Sequence, residues 1–172
     1  MDKLSKKEII SFLNHKSSQY NTTNFIETDP IQIPHLFNKK EDIEISGFLT
    51  SIVSWGNRKS IIKNAKKLVE LLDDSPYDFI LNHNKSDLNK LNPFVHRTFN
   101  GIDLIQFIKS LNHIYLEHNG LEDIFKKNIK DDSLQYAIHK MKKIFFEIPH
   151  TNRTKKHISD PMRGSAAKRI NM

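Results

Sequence analysis

The sequence between residues 42 and 72 constrains the fold more than any other part of the chain. Apolar residues recur there every three or four positions, in two runs: Ile45, Phe48, Leu49, Ile52 and Val53, then Ile61, Ile62, Ala65, Leu68, Val69 and Leu72. This spacing is typical of helices with one buried side. The pattern stops between the runs, where Gly56 can close one helix and Asn57 can cap the next. The stretch therefore predicts two apolar helices joined by a tight polar corner.

Helical spacing also dominates the rest of the chain, and no long strand-like alternation is present. Ser5 and Glu8 match a capping box at the start of a first helix. We expect this helix to bury its apolar residues Ile9, Ile10, Leu13 and Phe12. The predicted fold class is all-α, a multi-helix orthogonal bundle, with residues 1–172 forming a single helical domain.

Composition excludes several classes of protein. The chain has 172 residues and no cysteine, which rules out disulfides and thiolate metal sites. No apolar run approaches the roughly 20 residues that span a membrane, and the N-terminus has no signal-peptide core. We therefore expect a cytoplasmic protein with no membrane partner.

The charge of the chain is positive and unevenly distributed. The formal net charge is +7, and residues 151–172 carry three Arg and three Lys against one Asp. A basic chain favours a nucleic-acid partner. The alternative is that most of the 22 Lys only solvate helix faces. The five Arg are more informative, because their planar guanidinium groups can make bidentate contacts to phosphate.

The corner in the central stretch is the first candidate site. Its residues are Trp55, Gly56, Asn57, Arg58 and Lys59. Backbone N–H groups at a helix start attract phosphate, the two cations add charge, and an indole can stack on a base. The alternative is that Trp55 packs in the core while Asn57 only caps the second helix.

The second candidate site is the segment His96–Asn100, which precedes another predicted helix. Its candidate residues are His96, Arg97 and Asn100, the last as a helix cap. A capped corner held by a buried arginine ion pair is the structural alternative. We predict that the two candidate sites lie on one face of the molecule.

Metal and cofactor chemistry has little support in the sequence. The nine His are scattered without a known metal motif, and the five Gly form no phosphate-binding loop. No nucleophile elbow is present. We therefore predict no metal and no cofactor, and no catalytic residue is identified.

The C-terminal segment supplies three further basic candidates, Arg163, Lys168 and Arg169. Residues 165–172 predict the start of a helix that stops after about two turns. A helix so short buries little and still costs backbone entropy. We therefore expect an incomplete C-terminus, with Arg163 to Met172 mobile or loosely packed and an exposed apolar patch nearby.

Four segments of the chain resemble the signatures of an uncharacterised conserved bacterial family of hypothetical proteins. They are DPIQIPHLF, GFLTSIVSWGNRKSII, HRTFNGIDL and SAAKRINM. The resemblance covers nearly the whole chain in the same order. It implies that relatives continue beyond the last segment, with a Trp-containing helix and a Pro-Leu-Asp-Thr-His stretch, and that Ala167 stands where relatives often have Cys.

The apolar helix, polar corner and Lys-rich helix of residues 42–72 are also similar, more distantly, to the opening helices of helix-hairpin-helix DNA glycosylases. The corner differs, since glycosylases often carry Gln-Thr where this chain has Gly56-Asn57-Arg58. The resemblance implies a base-excision-repair-like protein whose hairpin and catalytic Asp would lie beyond residue 172. No catalytic role is carried over to this chain, and Lys168 is more suited to a phosphate contact than to nucleophilic attack.

Two functional hypotheses follow. The first is a DNA-binding, glycosylase-like protein, inactive in this form because the catalytic portion is missing. The second is a non-enzymatic helical module that binds a protein partner, with a Lys excess that reflects composition only.

Overall fold

The computed structural model describes residues 4–171, and helices account for most of them. In chain order the elements are α1 Lys6–Tyr20, α2 Thr23–Thr28, α3 Lys40–Val53, α4 Arg58–Leu71, α5 Pro76–Asn82, α6 Lys85–Lys90, β1 Val95–His96, β2 Phe99–Asn100, α7 Gly101–Glu117, α8 Leu121–Asn128 and α9 Gln135–Phe145. Four 3-10 turns complete them, at Pro30–Gln32, Pro34–Leu36, Thr154–His157 and Pro161–Arg163. The mostly helical fold is confirmed, with one small departure: β1 and β2 pair antiparallel as a two-residue ladder.

Helix starts follow the capping chemistry in the sequence. Ser5 and Glu8 form the predicted capping box, and Asn57 accepts hydrogen bonds from the first turn of α4. Asn100 begins α7 in a capping box with Asp103. These side chains occupy backbone N–H groups that have no partner inside the helix.

The core lies between α3 and α7, with α9 packed against them. The Phe107 ring lies 5.2 Å from that of Phe99, 4.7 Å from that of Phe145 and 6.0 Å from that of Phe48. Aromatic pairs at these centroid distances contribute beyond the area they bury. This cluster holds the β1–β2 hairpin and α9 against the two central helices. No helix in residues 4–171 is long and apolar enough to cross a membrane.

Two sequence-based expectations about the ends of the chain are wrong. None of the residues of α1 is buried, and Ile9, Ile10, Phe12 and Leu13 are all exposed. Residues 165–171 form turns instead of a helix, because Ala167 takes a left-handed backbone with φ of 45°. Met172, the last residue of that predicted helix, lies outside the described residues.

The C-terminal segment is also more tightly packed than expected. Ala167 is buried, and Ile170 packs against the core. The Arg169 guanidinium donates to the carbonyl oxygen of Ile52, 2.8 Å away, at the end of α3. A cation there satisfies a carbonyl with no partner inside the helix and interacts favourably with the negative end of its dipole. The segment therefore docks through a buried methyl group and one arginine, without needing a helix.

Candidate functional site

The corner between α3 and α4 is built around a glycine and an asparagine. Gly56 has a φ of 113°, a conformation that residues with a side chain rarely adopt. A Cβ atom at Gly56 would lie 2.8 Å from Nη1 of Arg97, so the missing side chain also makes room for that guanidinium. The side-chain oxygen of Asn57 accepts from the N–H groups of Lys59 and Ser60, at 3.0 and 3.3 Å. The corner is thus a fixed turn in which Asn57 already occupies two of the N–H groups at the start of α4.

The β1–β2 hairpin lies against this corner. His96 is 3% exposed, and its Nδ1 is 2.8 Å from the Asn64 amide nitrogen while its Nε2 is 3.2 Å from the Trp55 carbonyl oxygen. Because an amide nitrogen donates and a carbonyl accepts, these partners assign the proton to Nε2. Burial lowers the pKa of His96, so the imidazole is neutral at pH 7. His96 joins the two corners and offers no free edge to a ligand.

Arg97 occupies the turn of the hairpin and lies over Trp55. Its backbone φ is 56°, and its guanidinium carbon lies 4.7 Å from the centroid of the indole. This is a cation–π distance. The indole Nε1 is buried and has no hydrogen-bond partner among residues 4–171. Arg97 therefore covers the indole face that the sequence predicted to stack on a base. The exposed guanidinium of Arg97 is the group that a ligand would contact there.

Together these residues form a surface that we call the basic corner: Trp55, Gly56, Asn57, Arg58, Lys59 and Arg97. Arg58, Lys59 and Arg97 are all exposed. Arg58 makes a long ion pair with Asp29, 3.7 Å, while within residues 4–171 Arg97 has no carboxylate within 4 Å. Exposed Lys63 and Lys66 extend the positive charge along α4, at the helical spacing of Lys59. The two predicted sites are thus in contact and make one cationic surface.

Beside the basic corner, a buried carboxylate holds residues 153–157, which follow α9. Asp103, in the first turn of α7, has no exposed surface. Arg153 donates to both of its oxygens, with Nη2 at 2.6 Å from Oδ2, and Thr154 donates to Oδ1 at 3.0 Å. Nε2 of His157 lies 3.3 Å from Oδ2 without hydrogen-bond alignment. Arg153 also donates to the Thr98 carbonyl, which fixes the turn of the hairpin.

The charges of this cluster support one another. Burial raises the pKa of Asp103, but the hydrogen bonds from Arg153 and from the Asn100 N–H, with smaller help from His157 and Thr154, outweigh it and leave the pKa below its ordinary value. Burial lowers the pKa of His157 in spite of the nearby carboxylate. The cluster is therefore a structural anchor made of one ionised acid, one arginine and one neutral imidazole.

The remaining predicted residues fall in three different places. Asn100 is half-buried and engaged with Asp103, so it acts as a helix cap. Arg169 donates to the Ile52 carbonyl and is a structural contact. Arg163 and Lys168 are exposed, and no hydrogen bond or ion pair joins them to the basic corner within the described residues.

An apolar groove of about 640 Å³ runs along α3. Its floor is the small-residue face of that helix, and its walls come from α2, the proline-rich turns, α8 and the C-terminal segment. The lining residues are Phe25, Asp29, Pro30, Ile31, Pro34, Ile43, Glu44, Gly47, Phe48, Thr50, Ser51, Ser54, Leu121, Glu122, Phe125, Arg169 and Ile170. The expected exposed apolar patch is therefore present, and Ile170 of the C-terminal segment is part of its wall. Arg58 reaches the same end of the groove, 5.9 Å from the Phe25 ring.

Sequence analysis did not identify Asp103, Arg153 or His157 as a cluster. The capping-box spacing of Asn100 and Asp103 was a signal for the acid, but its partners are about 50 residues away. Sequence analysis also predicted no metal site. The structure nevertheless brings three potential ligands together, His113, His118 and Glu147. The two histidines have four residues between them, a spacing that also occurs between zinc ligands, but no Cys accompanies them in this chain.

Comparison with known proteins gives one match. No curated protein and no solved structure matches the chain. The family model described as "Protein of unknown function (DUF2400)" matches residues 29–172. This range contains the basic corner, the Asp103 anchor and all of the groove lining except Phe25, and it leaves out α1 and α2. The chain is therefore a member of the DUF2400 family, whose function is unknown.

Proposed function

We propose that the protein binds nucleic acid, with DNA as the first candidate, through the basic corner. The observation that supports this most directly is the contact between the two arginine-bearing turns. It places Arg97 over the Trp55 indole, in the same corner as Arg58 and Lys59, and Arg97 has no carboxylate within 4 Å in residues 4–171. Exposed cations without acidic partners are available for phosphate contacts, and each contact releases counterions.

The geometry of Arg97 suits a base as well as a phosphate. One side of its guanidinium faces Trp55, with the guanidinium carbon 4.7 Å from the ring centroid. Bases of single-stranded nucleic acid stack on guanidinium planes as they do on aromatic rings. The positive φ of Arg97 in the hairpin turn directs its side chain toward the corner. The absence of a Cβ at Gly56 leaves room for the guanidinium there.

The glycosylase-like hypothesis is a finer form of the same proposal. It is supported by the sequence similarity of α3, the corner and α4 to the opening helices of helix-hairpin-helix DNA glycosylases. Enzymes that act on bases extrude the base from the duplex into a pocket. The groove along α3, with Phe25 and Phe125 in its walls, lies next to Arg58, and we propose it as the pocket for an unstacked base. No catalytic residue is assigned to this chain.

Binding of fluorescently labelled single-stranded and duplex DNA, measured by anisotropy over a series of salt concentrations, tests the proposal. Arg58→Ala and Arg97→Ala should each weaken binding by about 1 kcal/mol or more, because each removes a charge-assisted contact. Each should also reduce the slope of log affinity against log salt by about 1. Arg97→Lys should keep the salt slope and lose part of the affinity, because the stacked plane is gone.

Lys143→Ala on α9 is the control, since it removes one exposed cation from another element. Lys66 would not serve as a control, because with Lys63 it extends the positive charge of the basic corner along α4. If Lys143→Ala weakens binding as much as Arg97→Ala does, the attraction is diffuse and the basic corner is not the site.

A second candidate function is protein interaction by self-association, and the exposure of α1 favours it. Phe12 and Leu13 are 56% and 57% exposed, and no residue of α1 is buried. The groove along α3 is an apolar surface of matching kind, and an amphipathic helix in a groove is a common mode of recognition. We propose α1 of a second copy as its occupant.

Acidic side chains at the rim of the groove offer a second kind of contact. In residues 4–20, α1 carries Lys6, Lys7 and Lys16 against a single acid, Glu8. The lining of the groove carries Asp29, Glu44 and Glu122. These acids already pair with Arg58, Lys40 and Lys126, so a lysine of α1 would share them with these partners. Burial of apolar surface is therefore the main driving force of the proposed docking.

Sedimentation velocity over a wide concentration range tests this second function. The wild-type chain should dimerise, and Leu13→Ser should shift the protein to monomer, because it removes apolar surface from the docked face. Leu116→Ser on α7 is the matched control, because Leu116 is 61% exposed and lies outside α1. A wild-type chain that stays monomeric throughout, or equal effects of both variants, would exclude docking of α1 in the groove.

A further inference from the structure

Three potential metal ligands converge where α7 ends. His113 belongs to the last turns of α7, His118 is the residue that closes this helix, and Glu147 follows α9. Their ligand atoms all lie within 4.8 Å of one another. The side chains are 23%, 29% and 50% exposed, so an ion and its water can reach them.

The distances in this cluster are at the long limit of hydrogen bonds, which His113 still meets, and they also fit a shared ion. Nε2 of His113 is 3.3 Å and Nε2 of His118 is 3.4 Å from the same oxygen of Glu147. Optimal N–H···O bonds are shorter, about 2.7–3.2 Å. Ligands placed about 2.0–2.1 Å from a tetrahedral zinc ion are about 3.3–3.4 Å apart. Both imidazoles thus stand at the separation that a shared cation requires.

The backbone fixes the positions of the three ligands. The N–H of His118 donates to the Ile114 carbonyl at 3.0 Å, and the N–H of Glu147 donates to the Ile144 carbonyl at 3.1 Å. The two imidazole rings meet edge to face with centroids 5.1 Å apart. If each ring carries its proton on Nδ1, both Nε2 lone pairs point toward the carboxylate oxygen. A cation between these atoms makes that arrangement favourable, whereas rings with the proton on Nε2 would donate to the carboxylate instead.

We propose that His113, His118 and Glu147 form a binding site for one divalent transition-metal ion, with zinc as the best fit. Two imidazoles and one carboxylate are the protein ligands of several zinc enzymes, which leave the fourth position to water or substrate. This donor set disfavours magnesium, which prefers oxygen ligands. Since the ligands come from α7 and from the segment after α9, the ion would also tie these two elements together. The site lies near the end of α7 opposite to Asp103 and is independent of the basic corner.

Isothermal titration of the untagged, metal-free chain with Zn²⁺ tests the site. We expect one ion per chain, a rise in the thermal unfolding midpoint with Zn²⁺, and no response to Mg²⁺. His113→Ala, His118→Ala and Glu147→Ala should each weaken binding at least about tenfold, because even the loss of a group that only supports a ligand has an effect of this size. The Co²⁺-loaded chain should show the visible absorption of tetrahedral coordination.

Two variants separate a metal site from a network of hydrogen bonds. Glu147→Gln keeps an oxygen that can accept from either imidazole but removes the charge, and it should also lose Zn²⁺. His35→Ala removes an exposed histidine outside the cluster and should leave affinity and stoichiometry unchanged. Metal-free His113→Ala and Glu147→Gln should unfold near the wild-type temperature, since their side chains are partly exposed. Absence of Zn²⁺ binding in the wild-type chain, or wild-type affinity in all the cluster variants, would overturn the proposal.

Discussion

Replacing Asp103 with alanine is expected to lower the free energy of unfolding by about 3 kcal/mol, because it removes the only acid in a buried cluster that depends on its charge. Arg153 would lose both carboxylate contacts, Thr154 would lose its acceptor, and the Asn100 N–H would lose its capping partner. The loss lies at the lower end of the range for buried ion pairs, since the Arg153 side chain is 42% exposed and water can solvate it. For a chain of this size the midpoint of thermal unfolding should fall by about 10 °C.

Asp123→Ala is the matched control for this prediction. Asp123 occupies the same third helical position in α8 that Asp103 occupies in α7, but its partner is the exposed Lys127. Exposed pairs of this kind contribute little to stability, because water screens both charges. Chemical denaturation of both variants gives the comparison, and a loss of similar size at the two positions would show that burial of Asp103 is not the cause.

The pH dependence gives an independent check on the charge of Asp103. Its pKa is lowered in the folded chain, so its contribution to stability is complete above the ordinary carboxylate pKa of about 4 and disappears as the pH falls below it. The difference in stability between wild type and Asp103→Ala should therefore be constant near pH 7 and should narrow in acid. A difference that persists unchanged below pH ~3 would mean that the carboxyl group acts through its shape alone.

Gly101→Ala is expected to destabilise the fold by a similar amount, about 3 kcal/mol, for a steric reason. A Cβ at this position would lie 2.6 Å from both the Cα and the carbonyl carbon of Asn92. These are backbone atoms, so no side-chain rotation can relieve the contact. The first turn of α7 or the chain before β1 would have to move, and the hairpin that holds Arg97 would move with it.

Gly47→Ala in α3 is the matched control, because it makes the same chemical change where there is room. Its nearest contact would be the Cβ of Pro34 at 3.7 Å, an ordinary distance. Alanine in a helix interior is favoured over glycine by about 0.5–1 kcal/mol, so this variant should be as stable as wild type or slightly more stable. Guanidinium unfolding of the two variants gives the comparison. A Gly101→Ala chain as stable as wild type would show that a Cβ at residue 101 does not clash with the backbone of Asn92.

The sequence by itself determined which segments are helical and where several of them begin. Ser5, Asn57 and Asn100 cap helices as expected, because capping uses side chains within three residues of the backbone groups they satisfy. It also identified both arginine-bearing turns, since an interruption in apolar periodicity is visible without any knowledge of packing. It also predicted, from their similar character alone, that those turns lie on one face, and the contacts of Arg97 and His96 with Trp55 agree with this.

Only the tertiary structure decided how these elements use their side chains. The sequence assigned a buried face to α1 from its apolar residues, but burial requires a partner surface and none covers them in residues 4–171. It offered the Trp55 indole for stacking, whereas Arg97, 42 positions later, covers that ring. Arg169 was predicted to contact nucleic acid, but its guanidinium donates to the Ile52 carbonyl at the end of α3.

The two clusters that the sequence left unrecognised share one property. Asp103 contacts Arg153 and Thr154 about 50 residues away, and His113 contacts Glu147 over a separation of 34 residues. Local patterns report the preferences of neighbouring residues, but charges and metal ligands act through space, at distances fixed by the packing of whole helices. The helices and their caps could therefore be predicted from the chain, while the anchor, the groove and the proposed metal site required the fold that brings distant residues together.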